Sequence, residues 1–388
     1  MAVLSINLSP FAADYSGVSS VLFDLNTVTA MHDASGCTGN YTGYDEPRWY
    51  GSKSGIFCSG LREIDAILGD DEKLIKKMIH ASSDIKPDLM ALIGSPVPMV
   101  IGSDMNGIAA ELEERTGIPC LGFDTTGTSY YDKGVAMATI ALLKRFTPAT
   151  EMISGTVNIV GATPLDFATG ENLEDLKALI KKEGYTITTC LSMGYTMETL
   201  KKASSAQVNL AVTRAGLIIA QYMEKTYGIP YVCGLPVGEK MTKDYFDAIK
   251  QVAETKESCI MNGTASESAE ILVVGEQVSA NAIRLALEKV YGEGKVAVGC
   301  LFGKEAKLTL PQDKNLSSER LIKEELNKDC YQMIIADPFL KELISKDRQV
   351  TFLPNAQYAV SSKVCVEDTA RIIGSSFDDW INQDCFKG

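Results

Sequence analysis

Short apolar runs recur along this chain, each closed by a glycine-bearing turn and followed by a stretch whose apolar positions return at helical spacing. Residues 86–94 (KPDLMALIG) form a continuous apolar run, the pattern of a strand buried on both faces, and 102–116 read as the amphipathic helix that follows. Residues 118–122 (IPCLG) give the next strand. The cycle returns with a strand at 156–161, a helix at 171–183 and a strand at 185–191, then with 208–213, the helix 215–227 and 229–233. A third set has strands at 269–275, 295–300, 331–336 and 349–353, with a helix at 279–291.

Strands that alternate with helices imply parallel sheets flanked by helices. Breaks at 147–150 (TPAT) and 262–266 (NGTAS) divide the chain into α/β units at 1–150, 151–265 and 266–370, with a tail or helix at 371–388. The expected fold is therefore α/β, with three Rossmann-like units. Ligands in such sheets gather at the carboxyl ends of strands, which is where Cys37, Ser95, Asp124 and Thr213 fall.

A net charge of -13 with no basic patch argues against nucleic acid. No stretch has the length and apolarity of a membrane span, and the first six residues lack the basic start and apolar run of a signal peptide. A cytoplasmic location follows as an expectation, and reduced thiols with it. The 10 cysteines stand singly, with no CxxC pair, so any metal centre must gather ligands distant in sequence. No GxxxxGK[ST] loop and no GxGxxG turn occurs where a nucleotide would need one, and Gly51-Ser52-Lys53-Ser54-Gly55 has the wrong spacing for a phosphate loop. No nucleotide is expected. With only His32 and His80, a histidine-rich metal site is excluded, and His80 reads as a surface or cap residue.

Two thiols stand apart. Cys37 ends His32-Asp33-Ala34-Ser35-Gly36-Cys37, after a strand expected at 27–31, and reads as a thiol presented by a tight glycine turn rather than by a helix. Cys58 in Ile56-Phe57-Cys58-Ser59-Gly60 has a similar setting, an apolar strand that ends at a thiol and a glycine. Cys190, Cys233 and Cys300 sit in or beside apolar strands, where cysteine behaves as a small hydrophobe. For Cys37 and Cys58 the residues alone leave both readings open, metal ligand or buried structural thiol.

At this point the chain resembles the component 1 family of nitrogenase-like reductases. That family includes the molybdenum–iron protein subunits, dark-operative protochlorophyllide reductase and the reductase of nickel-tetrapyrrole biosynthesis. His32-x-x-x-Gly36-Cys37 is similar to the family's segment with a bridging-cluster cysteine. Ile64-Asp65-Ala66-Ile67-Leu68-Gly69 resembles the stretch that approaches the ATP-driven reductase partner. Val100-Ile101-Gly102-Ser103-Asp104 resembles a helix start, and the stretch from Ala220 to Pro230 resembles one ending YGIP. The departures matter as much. The family's first cluster cysteine falls near Phe11, its third at Ser95 or Pro96, and the cysteine that holds the molybdenum cofactor near Val212.

The resemblance implies the component 1, chelatase-like fold, with cluster-binding loops and a dimer interface in the first unit. It implies an enzyme, the catalytic half of a two-component, ATP-dependent reductase. A separate ATP-hydrolysing iron–sulfur protein would deliver low-potential electrons, and the substrate would be a small or tetrapyrrole-like molecule rather than dinitrogen. One 4Fe–4S cluster would be shared by Cys37 and Cys58 of each of two chains, in a homodimer or with a paralogue, and Cys120 would be the reserve ligand. No molybdenum cofactor is expected. His32 and Arg214 are candidate catalytic residues, against blander roles as a loop-fixing hydrogen bond and an interdomain salt bridge. A scaffold or carrier for a metallocluster or tetrapyrrole, and a cluster-free small-ligand binding protein, are the alternatives.

Overall fold

A computed structural model describes residues 5–49, 54–69 and 71–385, with side chains to 382. Its strands form three sheets in which every pairing is parallel. The first contains β1 (Thr27–Met31), β2 (Gly55–Cys58), β3 (Leu89–Ile93) and β4 (Cys120–Phe123), in the order β2-β1-β3-β4. The second contains β5 (Thr156–Val160), β6 (Thr186–Cys190), β7 (Val208–Ala211), β8 (Tyr231–Cys233) and β9 (Cys259–Ile260), in the order β6-β5-β7-β8-β9. The third contains β10 (Ile271–Gly275), β11 (Val296–Cys300), β12 (Lys314–Asn315), β13 (Met333–Ala336) and β14 (Thr351–Pro354), in the order β12-β11-β10-β13-β14.

The central strands β1, β3, β5 and β10 are buried at every position, which explains the unbroken apolar runs of β3 and β10. Each sheet reverses its strand order once, beside β1, β5 or β10. A crevice opens at the carboxyl end of each of these switch points. The first holds His32 to Cys37 and Ser95, the second Gly161 to Asp166 and Thr213, the third Glu276 and Asp337.

The units are fused rather than strung together. One contiguous core runs from Leu8 and Val18 through Leu217 to Tyr358. The helices Asp14–Leu22 and Tyr131–Phe146 cross so closely that a Cβ on Gly17 would lie 2.0 Å from the Tyr131 carbonyl oxygen, and one on Gly134 1.9 Å from that of Asp14. Only glycine fits either position.

Three local features differ from the sequence reading. Cys37 is not in a turn but is the second residue of a short helix, Gly36–Asn40, which runs on into a π-helical turn, Tyr41–Asp45. The turn precedes it: Ser35 holds φ 150°, an unfavourable angle for a residue with a Cβ. His80 is on the exposed face of the helix Asp71–Ile85, inside rather than at its end. Of the segment 51–55, residues 51–53 lie outside the described residues, and Gly55 begins β2.

Candidate functional site

Met31 pairs with Cys58 and with Ile93, so the ends of β1, β2 and β3 are level. The loops that leave them meet around Asp33. The Asp33 carbonyl accepts from the Cys58 thiol at 3.3 Å, and the Gly60 N–H donates to the same sulfur at 3.4 Å. The Asp33 carboxylate accepts from the N–H of Ser35 at 3.0 Å and of Thr38 at 3.1 Å, which ties down the start of the Cys37 helix. One buried residue thus positions both thiols. Both are half-buried, neither sealed in a core nor free on the surface.

Electrostatics oppose a bare thiolate at Cys37. Burial and the Asp33 carboxylate raise its pKa, with the Tyr15 hydroxyl working the other way. A metal would reverse that balance, since a coordinated thiol is deprotonated outright. Two soft donors at one sheet end, one with an N–H···S contact, match what an iron–sulfur cluster asks of its ligands. Among the described residues no group of three or more His, Cys, Asp or Glu side chains could hold a metal ion.

The other expected residues sort clearly. His32 is buried, its Nδ1 2.9 Å from Ser59 Oγ, and burial lowers its pKa so that it is neutral near pH 7. Ser95 Oγ donates to the His32 carbonyl at 2.8 Å, so a hydroxyl braces the loop there. Phe11 packs on Tyr130 and Phe302. Cys120 is not brought to the site. It pairs with Met90 at the opposite end of its sheet, about 10 Å back along the strand at 3.3 Å per residue, and burial pushes its thiol up to about 12.

Arg214 is committed to the interdomain role. From the second unit its guanidinium binds Asp132 of the first and the Phe302 carbonyl of the third, while its N–H donates to Glu276 at 2.7 Å. Around it lies a buried polar group that sequence reading missed. Tyr131 donates to Asp166, and Thr163 Oγ1 donates to the same carboxyl at 2.9 Å. Burial, then the nearby Glu276 carboxylate, holds the Asp166 pKa well above the usual carboxylate range. Burial also raises Glu276, against backbone N–H donors, and raises Asp132 despite its arginine. The signal was present for Glu276, a charged residue directly after the apolar run ILVVG. Val212 lines the same small cavity as Asp166 and Glu276.

A shallow pocket beside His32 is lined by Ser59, Asp65, Lys77 and Ile101. Flanking it, the helices Glu63–Leu68 and Pro96–Val100 expose Ile64, Ile67, Leu68, Val97 and Val100, with Ile101 adjoining. So many exposed aliphatic side chains around one site mark an interaction surface. No helix among the described residues is long and apolar enough to cross a membrane.

Comparison with known proteins agrees with this geometry. A light-independent protochlorophyllide reductase subunit from Synechococcus elongatus is 26% identical over 195 residues, 47% of this chain and 38% of that protein. The nitrogenase molybdenum-iron protein alpha chain from Methanosarcina barkeri is 24% identical over 216 residues, 52% of this chain and 39% of that one. The matched stretches thus span well under half of these relatives. A solved structure, nitrogenase Cp1 at pH 5, superimposes with a TM-score of 0.66 at 16% identity, covering 100% of this chain and 90% of that one, and so shares the fold. The model of the nitrogenase component 1 type oxidoreductases matches residues 15–298, and the chain belongs to that family.

Proposed function

We propose that this chain is the component 1-like half of a two-component reductase, completed by a second copy or a paralogue. Its substrate would be a small or tetrapyrrole-like molecule rather than dinitrogen. The observation that carries this reading is the pair Cys37 and Cys58, held by one buried aspartate at a half-open sheet end beside an exposed apolar surface. Together with family membership, that arrangement supports a cluster site shared between two chains.

In this reading Asp33 sets the separation of the two thiols, and the Gly60 N–H stabilises charge on Cys58. The aliphatic side chains of Ile64, Ile67, Leu68 and Val100 exclude water once a second chain covers them. A bound 4Fe–4S cluster would supply one-electron transfer at low potential. The chain has no Walker sequence, which is consistent with ATP hydrolysis in a separate iron–sulfur partner.

Anaerobic purification with iron, sulfide and mass analysis tests the proposal. The expected result is a dimer with about two iron atoms per chain, as one shared four-iron cluster requires. Cys37→Ala should lose the iron, and Cys190→Ala should keep it. Iron-free protein from anaerobic cells would overturn the cluster, and iron lost in Cys190→Ala but kept in Cys37→Ala would overturn the ligand assignment. Cluster reduction by an ATPase partner only when ATP is supplied is the outcome that separates a reductase from a scaffold.

A further inference from the structure

Three cavities lie in line between the surface and the junction of the three units. The outermost, about 350 Å³, opens among the exposed residues Thr169, Glu171, Glu367 and Arg371. It shares Phe167, Asn172 and Thr369 with a middle cavity of about 40 Å³, into which Asp166 and Glu276 face. Thr213 and Glu276 are shared in turn with an innermost cavity of about 10 Å³ that Asp132 and Arg214 line. Judged by the space a water needs, these hold many waters, two or three, and about one.

The polar atoms along this line lack protein partners where water would supply them. Asp132 is 3% exposed, and its Oδ1 lines the innermost cavity with no hydrogen bond among the described residues. Thr369 Oγ1, in the wall between the outer and middle cavities, is buried and equally without one. A buried carboxylate oxygen without a partner costs several kcal/mol, and a single water in the innermost cavity would satisfy it. Asp166 keeps accessible surface even so far from the outside, on a residue that lines the middle cavity. The remaining contacts of these carboxyls come from Tyr131, Thr163, Arg214 and Ser279.

We propose that this line of cavities is a hydrated proton-entry path, in which Asp166 and Glu276 carry protons from bulk water to the Asp132–Arg214 end. Each hop breaks one O–H bond and forms another. A hydronium at the mouth gives its proton along water to one carboxyl oxygen, and the other oxygen of that carboxyl releases a proton onward, so each group ends as it began. The path meets a need of the reductase reading, on which its purpose rests, because a substrate that gains electrons also gains protons. Its existence does not depend on that reading. Burial and the nearby Glu276 carboxylate raise the Asp166 pKa toward the range where a carboxyl can both take up and release a proton.

The test uses the resting full-length chain without cluster, partner or substrate. Infrared spectra should show a protonated-carboxyl band at pH 7 that disappears in Asp166→Asn or Glu276→Gln. On transfer to heavy water the band should shift within seconds in the parent. It should shift at least tenfold more slowly in Thr369→Leu, which fills the passage, and measurably more slowly in Thr369→Val, which removes only the unpartnered hydroxyl. Equal exchange in parent and both variants, or no such band, would overturn the path. A slowed band without ATP-dependent reduction would leave the path standing and overturn the reductase reading.

Discussion

The switch point of the first sheet and the junction between the second and third sheets obey one topological rule and reach opposite physical states. At the first, nothing among the described residues caps the carboxyl ends of β1, β2 and β3, so Cys37 and Cys58 stay half-exposed and aliphatic residues face outward. At the second, the end of β10 faces the ends of β5 and β7, and the helix Tyr131–Phe146 closes the gap. Burial there raises the pKa of Asp166 and Glu276. A strand end becomes an open face or an enclosed chamber according to what packs over it.

The sharpest way to break this contrast is to truncate one aspartate at each place. Asp132→Ala strands a largely buried guanidinium and should cost about 3–5 kcal/mol in urea unfolding. Asp33→Ala at the open end, where water can replace part of the lost hydrogen bonding, should cost about 1–2 kcal/mol. Equal losses would show that capping is not what separates the two regions. Next in size is Gly134→Ala, which forces apart the two crossing helices at a cost of about 2–3 kcal/mol, with Gly36→Ala as the near-neutral control because its Cβ meets nothing within 4 Å.

A smaller effect sharpens the contrast within the first unit. Asp45, buried behind the π-helical turn, accepts from Ser16 Oγ at 2.7 Å, and burial pushes its pKa up to about 6 from 3.8. The folded chain then holds the proton at pH values where the unfolded chain has released it. This contribution to stability is therefore full below about pH 4, falls between about 4 and 6, and is lost above that. Asp45→Asn should remove a decline of about 1–3 kcal/mol across that window, seen as a flatter plot of denaturation midpoint against pH. An unchanged slope would mean the aspartate is ionised in the folded chain. Smallest is Arg371→Ala at the mouth of the outer cavity. Its pair with Asp175 is exposed on the arginine side, so the urea midpoint should stay within experimental error of the parent's.

The α/β class and the parallel strands were legible because strands buried on both faces leave continuous apolar runs, as in LMALI and ILVVG. Cys37 and Cys58 drew attention for a local reason, since Cys37 follows a glycine after a strand and Cys58 ends a strand two residues before one. Their shared support by Asp33 was not legible, because it depends on the level ends of β1 and β2, a register no local pattern records. Cys120 misled for a boundary reason: the apolar run reads as a strand at 118–122, whereas β4 begins at Cys120 and ends at Phe123, which puts that thiol at the far end. The acid group at the junction was hidden more deeply. Asp132, Asp166 and Glu276 come from three separate units, and only Glu276, directly after ILVVG, carries a local signal.

The crossing at Gly17 and Gly134 has one more consequence. One of its helices starts at Asp14 and Tyr15, beside the Cys37 loop, and the other starts at Tyr131 and Asp132, inside the acid chamber. With backbone pressed on backbone and no side chain between them to yield, the two helices behave as a single strut. The span between thiol loop and chamber is then a fixed length, insensitive to what either end binds. A change of charge at one end reaches the other as a field across a rigid gap and not as a movement, and it arrives without waiting for any part of the chain to rearrange.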